Sequence, residues 1–153
     1  MEIERKFLIR SVGDVPGGPD AYPYHEIEQG YLNTDPVVRV RKSDEDYYLT
    51  YKGDGMMARE EYNLPLTAEA YRHLIQKADG IVITKRRYLI PLPDHLTCEL
   101  DVFGGAYEGL LLAEVEFSSE EEANAFVPPD WFGEDVTFDG RYHNSRMSQG
   151  DMK

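Results

Sequence analysis

Polar and apolar residues alternate with a period of two over most of this chain, and that period belongs to strands rather than helices. Residues 1–10 read as a first strand, with Glu2, Glu4 and Lys6 on one face and Ile3, Arg5 and Phe7 on the other. Gly13, Pro16, Gly17, Gly18 and Pro19 then mark a turn-rich loop from Val12 to Pro23. Tyr24 to Thr34 is predicted as a second strand, with Gly30 at a bulge. Asn33-Thr34-Asp35-Pro36 turns the chain into Val37-Val38-Arg39-Val40-Arg41, a third strand with both arginines on one face. Tyr47 to Lys52 and Ala58 to Pro65 follow as fourth and fifth strands, separated by Gly53-Asp54-Gly55. The period then changes. Tyr71, Leu74, Ile75 and Ala78 share a helical face over Ala68 to Ala78, with Thr67 as N-cap and Asp79-Gly80 as the stop. Strands resume at Ile81 to Pro91, Thr97 to Phe103 and Leu110 to Phe117. Ser119-Glu120-Glu121-Glu122 reads as a capping box opening a short helix toward Phe126, and Pro128-Pro129 ends it. Trp131, Phe132, Val136 and Phe138 are placed to pack the tail on the body, and Arg141 to Ser148 is read as a terminal helix.

The element pattern predicts an α+β fold built on an antiparallel meander of eight strands with flanking helices. Residues 1–153 are short enough for a single domain and contain no internal repeat. Hydrophobic residues make up 41% of the chain, enough to build a core and to exclude a disordered protein. The longest apolar run, Gly109 to Ala113, is too short to span a membrane, and the N-terminus lacks a signal-like apolar stretch. The single cysteine, Cys98, forms no internal disulfide and suits a reducing, cytoplasmic setting. A net charge of -13 argues against nonspecific nucleic-acid or membrane partners.

Charge patterning changes the picture of the strand faces. Lys6, Arg39, Arg41, Lys52, Arg59, Lys85 and Arg87 recur in strand phase, as do Glu2, Glu4, Glu61, Glu99, Asp101, Glu114 and Glu116. The two sets cancel, so the whole net charge of -13 lies elsewhere in the sequence. A flat sheet with a solvated, ion-paired face would explain them, but such a face usually also carries Ser, Thr, Asn and Gln. If these faces instead line a closed barrel, burying so many charges is costly unless a ligand meets them. Arginine forks and lysines suit phosphate oxygens, while carboxylates suit magnesium or manganese. A chain of phosphates with a divalent metal calls for both kinds at once.

Glu2-Ile3-Glu4-Arg5-Lys6 resembles the ExExK signature of the CYTH superfamily, the triphosphate tunnel metalloenzymes. The resemblance extends through Arg39-Val40-Arg41, Tyr51-Lys52-Gly53, Arg59 to Tyr62, Lys85 to Tyr88, Glu99-Leu100-Asp101 and Glu114 to Phe117, and into a tail from Gly133 to Asn144. The short bacterial tripolyphosphatase branch is similar through Gln29-Gly30-Tyr31-Leu32, and through Phe126 to Pro129 with Trp131-Phe132-Gly133. The resemblance implies an eight-stranded closed antiparallel β-barrel, or tunnel, that hydrolyses inorganic tripolyphosphate with one or two Mg2+ or Mn2+ ions. It implies phosphate binding by Lys6, Arg39, Arg41, Lys52, Arg59, Lys85 and Arg87. Metal binding falls to Glu2, Glu4, Glu61, Glu99, Asp101, Glu114 and Glu116, and catalysis to Glu2, Glu4, Lys6 and Tyr31. Tyr31 would partner Lys6 near the attacked phosphate; its plain reading is a strand aromatic facing outward. The chain departs from the pattern at Asn63, where the branch often carries glutamate, and at His143 and Ser145, where relatives carry lysine, with Arg141 and Arg146 as substitutes. Thiamine triphosphatase, nucleotide triphosphatase, class IV adenylate cyclase and a non-catalytic polyphosphate-binding module are the alternatives. The partner is a small anionic substrate. Oligomeric state is not legible, and a homodimer is left open.

Overall fold

The computed structural model describes residues 1–150. Nine strands form one antiparallel sheet: β1 (Glu2–Leu8), β2 (Tyr24–Thr34), β3 (Val37–Ser43), β4 (Asp46–Lys52), β5 (Ala58–Arg59), β6 (Glu61–Pro65), β7 (Asp79–Pro91), β8 (Thr97–Phe103) and β9 (Leu111–Glu116). Their spatial order is β5-β1-β9-β8-β7-β2-β3-β4-β6. The predicted fifth strand is split at Glu60. Its first part pairs with β1, Glu2 opposite Arg59, and its second with β4, Lys52 opposite Glu61. The two ends of the sheet are therefore one residue apart in the chain, and the sheet curls into a nearly closed barrel.

The free edge of β1 is covered by the tail. Leu8 donates its backbone N–H to the Glu134 carbonyl, Val136 to the Lys6 carbonyl, and the Lys6 N–H reaches Thr137 Oγ1 at 3.0 Å. An edge strand that would otherwise leave its backbone groups unpaired is thereby satisfied.

Period two sends one half of each strand outward into apolar packing. Phe7, Tyr88, Ile90, Cys98, Leu100, Ala113, Val115 and Phe117 form the main core outside the barrel wall, covered by Phe126, Trp131 and Phe132. Phe7 is 1% exposed and lies 5.0 Å from the Phe132 ring centroid, so truncating it to alanine would cost about 3–5 kcal/mol.

Helix α1 (Ala68–Ile75) is shorter than predicted, because Asp79 and Gly80 already belong to β7. Its N-cap is Thr67, whose hydroxyl accepts from the Ala70 N–H at 3.0 Å. The bulge falls at Gly30, where the β2–β7 register shifts. A Cβ there would meet Ile75 and Ala78 at 2.7 Å, so the missing side chain lets the chain around α1 approach the sheet. Helix α2 (Glu120–Ala125) is capped by Ser119, which accepts from the Glu122 N–H. Arg5 donates to the carbonyls of Ala123 and Phe126 at its far end. The predicted terminal helix is broken at His143 into a 3-10 turn (Gly140–Tyr142) and α3 (Asn144–Met147). No helix among the described residues is long and apolar enough to cross a membrane.

Candidate functional site

The inward half of the strands encloses a cavity of about 720 Å³. Thirteen of the fourteen in-phase charges line it, together with Tyr31, Tyr48, Asn63, His143, Asn144 and Ser145. The exception is Asp101. It is fully buried behind the lining, where it accepts from Lys85 Nζ at 2.6 Å and from Arg87 Nε and Nη2 at 2.7 and 2.9 Å. Both its oxygens are committed to cations, so it serves as their counter-ion rather than as a ligand facing the cavity.

One end of the cavity is blind. Tyr31, Ile83, Phe103, Leu112 and Val136 pack there around Met147 of α3, which is fully buried. His143, Asn144 and Ser145, just before it, line the cavity. The C-terminal segment therefore plugs the barrel. Arg141 and Arg146 are exposed and outside the lining, so neither replaces the lysines missing at positions 143 and 145; Arg141 is tied to Asp139 at 2.6 Å.

Pairing within the cavity is uneven. Lys52 sits between Glu2 and Glu61 at 2.9 and 3.3 Å. Arg87 bridges Asp101, Glu99 and Glu114, and Lys6 lies 3.7 Å from Glu114 while donating to the Tyr142 carbonyl at 3.0 Å. Arg39, Arg41 and Arg59, in contrast, form no ion pair among the described residues, and neither do Glu4 and Glu116. Arg39 is 5% exposed and its buried Nε has no hydrogen-bond partner. Its Nη2 reaches Thr50 Oγ1, which in turn donates to Asn63. Asn63 donates onward to Glu61, so the departure from glutamate leaves a hydrogen-bonded neutral link in the wall.

Protonation follows this division. Burial, Arg39 and Arg87 lower Arg41 to about 10. Burial, with Arg87 and Arg41, pushes Lys85 down to about 7 against the pull of Asp101. Burial, Glu114 and Glu2 raise Glu4 well above the usual carboxylate range, and burial with Glu99 and Glu61 raises Glu116. Glu114 goes the other way: against burial, Lys6 and Arg87 hold it well below the usual range. Burial, Lys6 and Arg59 bring His143 down to about 4, so it is neutral near pH 7.

Tyr31 faces inward at 2% exposure. No hydrogen bond joins it to Lys6, whose ammonium is taken by the tail carbonyl instead. The described residues hold no preformed group of three acidic, histidine or cysteine ligands. The donor set is still of the right kind: Glu4 and Glu116 are raised carboxylates that form no ion pair among the described residues, although Lys6 and Lys52 act on Glu4 and Lys52 on Glu116, and magnesium commonly takes one or two carboxylates and completes its shell with phosphate oxygens and water. Sequence reading missed Gln29 and Asn144 as site residues. Both lie in segments that carry the family resemblance, and Gln29 is also in phase with Tyr31, whereas no periodicity marks Asn144.

The chain is 42% identical over 150 residues to an inorganic triphosphatase of Nitrosomonas europaea, covering 96% of each. It is 37% identical over 161 residues to an inorganic triphosphatase of Acetivibrio thermocellus, covering 99% of this chain and 96% of that one. The crystal structure of the inorganic triphosphatase NE1496 superposes with a TM-score of 0.72 at 39% identity, covering 97% of this chain and 95% of that one. Residues 1–148 match the CYTH domain. The blind, charge-lined barrel and these matches agree, and the chain belongs to the CYTH family.

Proposed function

We propose that this protein hydrolyses inorganic tripolyphosphate to pyrophosphate and orthophosphate, with Mg2+ or Mn2+ bound. The observation that carries the reading is that one cavity is lined by three arginines, Arg39, Arg41 and Arg59, and two carboxylates, Glu4 and Glu116, that form no ion pair among the described residues. A polyphosphate anion with a divalent cation neutralises both at once. The similarity to inorganic triphosphatases supports the same substrate class.

Arg39, Arg41 and Arg59 hold the phosphate oxygens from one side, and Lys85, Arg87 and Lys52 complete the cationic wall. Lys6 and Tyr31 reach the reacting end from β1 and β2. Glu4 and Glu116, aided by Glu2, Glu61, Glu99 and Glu114, are the residues that would hold metal. A bound ion would shield phosphate charge and polarise the attacked P–O bond. Water adds to a terminal phosphorus, the bridging P–O bond breaks, and its electrons leave with pyrophosphate; the water proton passes to solvent or product. Fixed cations around the transferring group account for most of the rate enhancement in such a step. The barrel lets the whole chain of phosphates be gripped. A reducing, magnesium-containing compartment such as the cytoplasm suits the reduced, buried Cys98.

The test is phosphate release from tripolyphosphate, pyrophosphate, thiamine triphosphate and ATP with magnesium or manganese. Tripolyphosphate should give by far the highest kcat/KM. Pyrophosphate is too short to meet both the acidic and the basic walls, and a nucleoside must be placed at the mouth. Comparable kcat/KM for ATP, or cyclic AMP as a product, would replace the reading with a nucleotide enzyme. Binding of polyphosphate without any turnover would leave only a binding module.

A further inference from the structure

The cations of the cavity are not held by the barrel alone. Arg41 Nε donates to Gln29 Oε1 at 2.7 Å, and Gln29 Nε2 donates to Asn144 Oδ1 at 2.8 Å. Lys85 Nζ donates to the same Asn144 oxygen at 2.8 Å and to Asp101 Oδ2 at 2.6 Å. Asp101 carries the chain on to Arg87. One buried hydrogen-bonded line thus runs Arg41–Gln29–Asn144–Lys85–Asp101–Arg87, through β3, β2, α3, β7 and β8. Gln29 and Asp101 are fully buried, and Asn144 is 9% exposed.

The geometry decides which donors stay available. Arg41 uses Nε on Gln29, which leaves its two terminal nitrogens for the cavity it lines. Lys85 spends two of its three donors on Asp101 and Asn144 and keeps one. Asn144 is the only member contributed by the C-terminal segment, and its single oxygen joins the two branches. Both donors it receives would otherwise point into space left by α3.

We propose that Asn144 is a positioning residue: by accepting from Gln29 and Lys85 it sets Arg41 and Lys85 in the geometry that grips tripolyphosphate, and so couples docking of α3 to substrate binding. This rests on the proposed function. Coupling of this kind is reciprocal, so bound anion holds α3 in place as firmly as α3 prepares the anion site. The segment that plugs the barrel is then part of the binding site.

The test uses the full chain with chelator present, so that binding is read without turnover. Tripolyphosphate affinity is measured by calorimetry for the wild type, Asn144→Ala, Gln29→Ala and the double variant. Each single change should weaken binding about tenfold or more, as loss of a hydrogen bond supporting a charged group does. The double variant should be little worse than the weaker single, because both break one line. Amide exchange over residues 144–148 of the wild type should slow when tripolyphosphate is added, a readout that needs no variant to fold. Wild-type affinity in Asn144→Ala, losses that multiply in the double variant, or unchanged exchange in 144–148 would each overturn the positioning role while leaving the function intact. Failure of the wild type to bind tripolyphosphate at all would remove the functional reading and this role with it.

Discussion

At the scale of the residue, the cavity shows charges kept in a costly state. Arg39 has almost no exposure, no carboxylate and a buried Nε without a partner. Such a group destabilises the empty protein, and apolar replacements of buried charges often gain about 1–4 kcal/mol. Arg39→Met should therefore raise the melting temperature while weakening tripolyphosphate binding at least tenfold. A variant both less stable and equally tight would show that Arg39 serves the fold rather than the ligand. His143 offers a pH signature. Its folded pKa, about 4, lies below the ordinary value of 6.5 because burial, Lys6 and Arg59 disfavour the charged form. Between these values the unfolded chain takes up a proton that the folded chain does not. Its contribution is full above pH 6.5 and is lost as pH falls toward 4. Urea midpoints should then fall more steeply across this window for the wild type than for His143→Gln; identical slopes would mean that His143 is not desolvated.

At the scale of the element, α3 is a four-residue helix, too short to be stable alone, and its docking supplies its order. The Ile81 N–H donates to the Ser148 carbonyl at 2.6 Å, where the backbone at Gly80 takes a φ of +69°. A Cβ on Gly80 would collide with the Ser148 carbonyl oxygen. Gly80→Ala combines a left-handed backbone penalty of about 1 kcal/mol with a clash against backbone that cannot move aside cheaply. Limited proteolysis should cut residues 140–150 faster in this variant, and tripolyphosphate should protect them less. Equal cleavage would show that α3 docks without this contact. Helix starts were legible by rule, since Thr67 and Ser119 cap where their side chains allow. The end of α2 before Phe126 was legible too, but the end of α1 was not, because Asp79 and Gly80 join a strand whose partner, β2, lies far back in the chain.

At the scale of the whole molecule, the negative charge sits outside a neutral set of fourteen in-phase charges, and within the cavity some of these charges are ion-paired while Arg39, Arg41, Arg59, Glu4 and Glu116 are not, among the described residues. Burial first, and then neighbouring carboxylates, raise Glu4 and Glu116; bound magnesium should offset both and so raise the melting temperature without substrate. Chelator should abolish turnover, and Glu116→Gln should remain inactive at high magnesium because an amide lacks the charge a hard cation needs. Full activity in chelator, with no shift on adding magnesium, would remove metal from the reading.

The sequence by itself determined which residues face inward. Period two is a property of the strand backbone, so parity alone placed Glu4 with Lys6, Arg39 with Arg41 and Lys85 with Arg87. It could not say which of those charges would be paired, because pairing depends on register and tilt between strands distant along the chain. Only the tertiary structure withdrew Asp101 behind the wall, split the fifth strand at Glu60 so that one segment closes the barrel, and left Arg39, Arg41 and Arg59 without carboxylates. It alone brought Asn144 onto Gln29, 115 residues away, and onto Lys85, 59 residues away. No local pattern marks an asparagine for that place, since its partners are set by how the C-terminal segment folds back into the barrel.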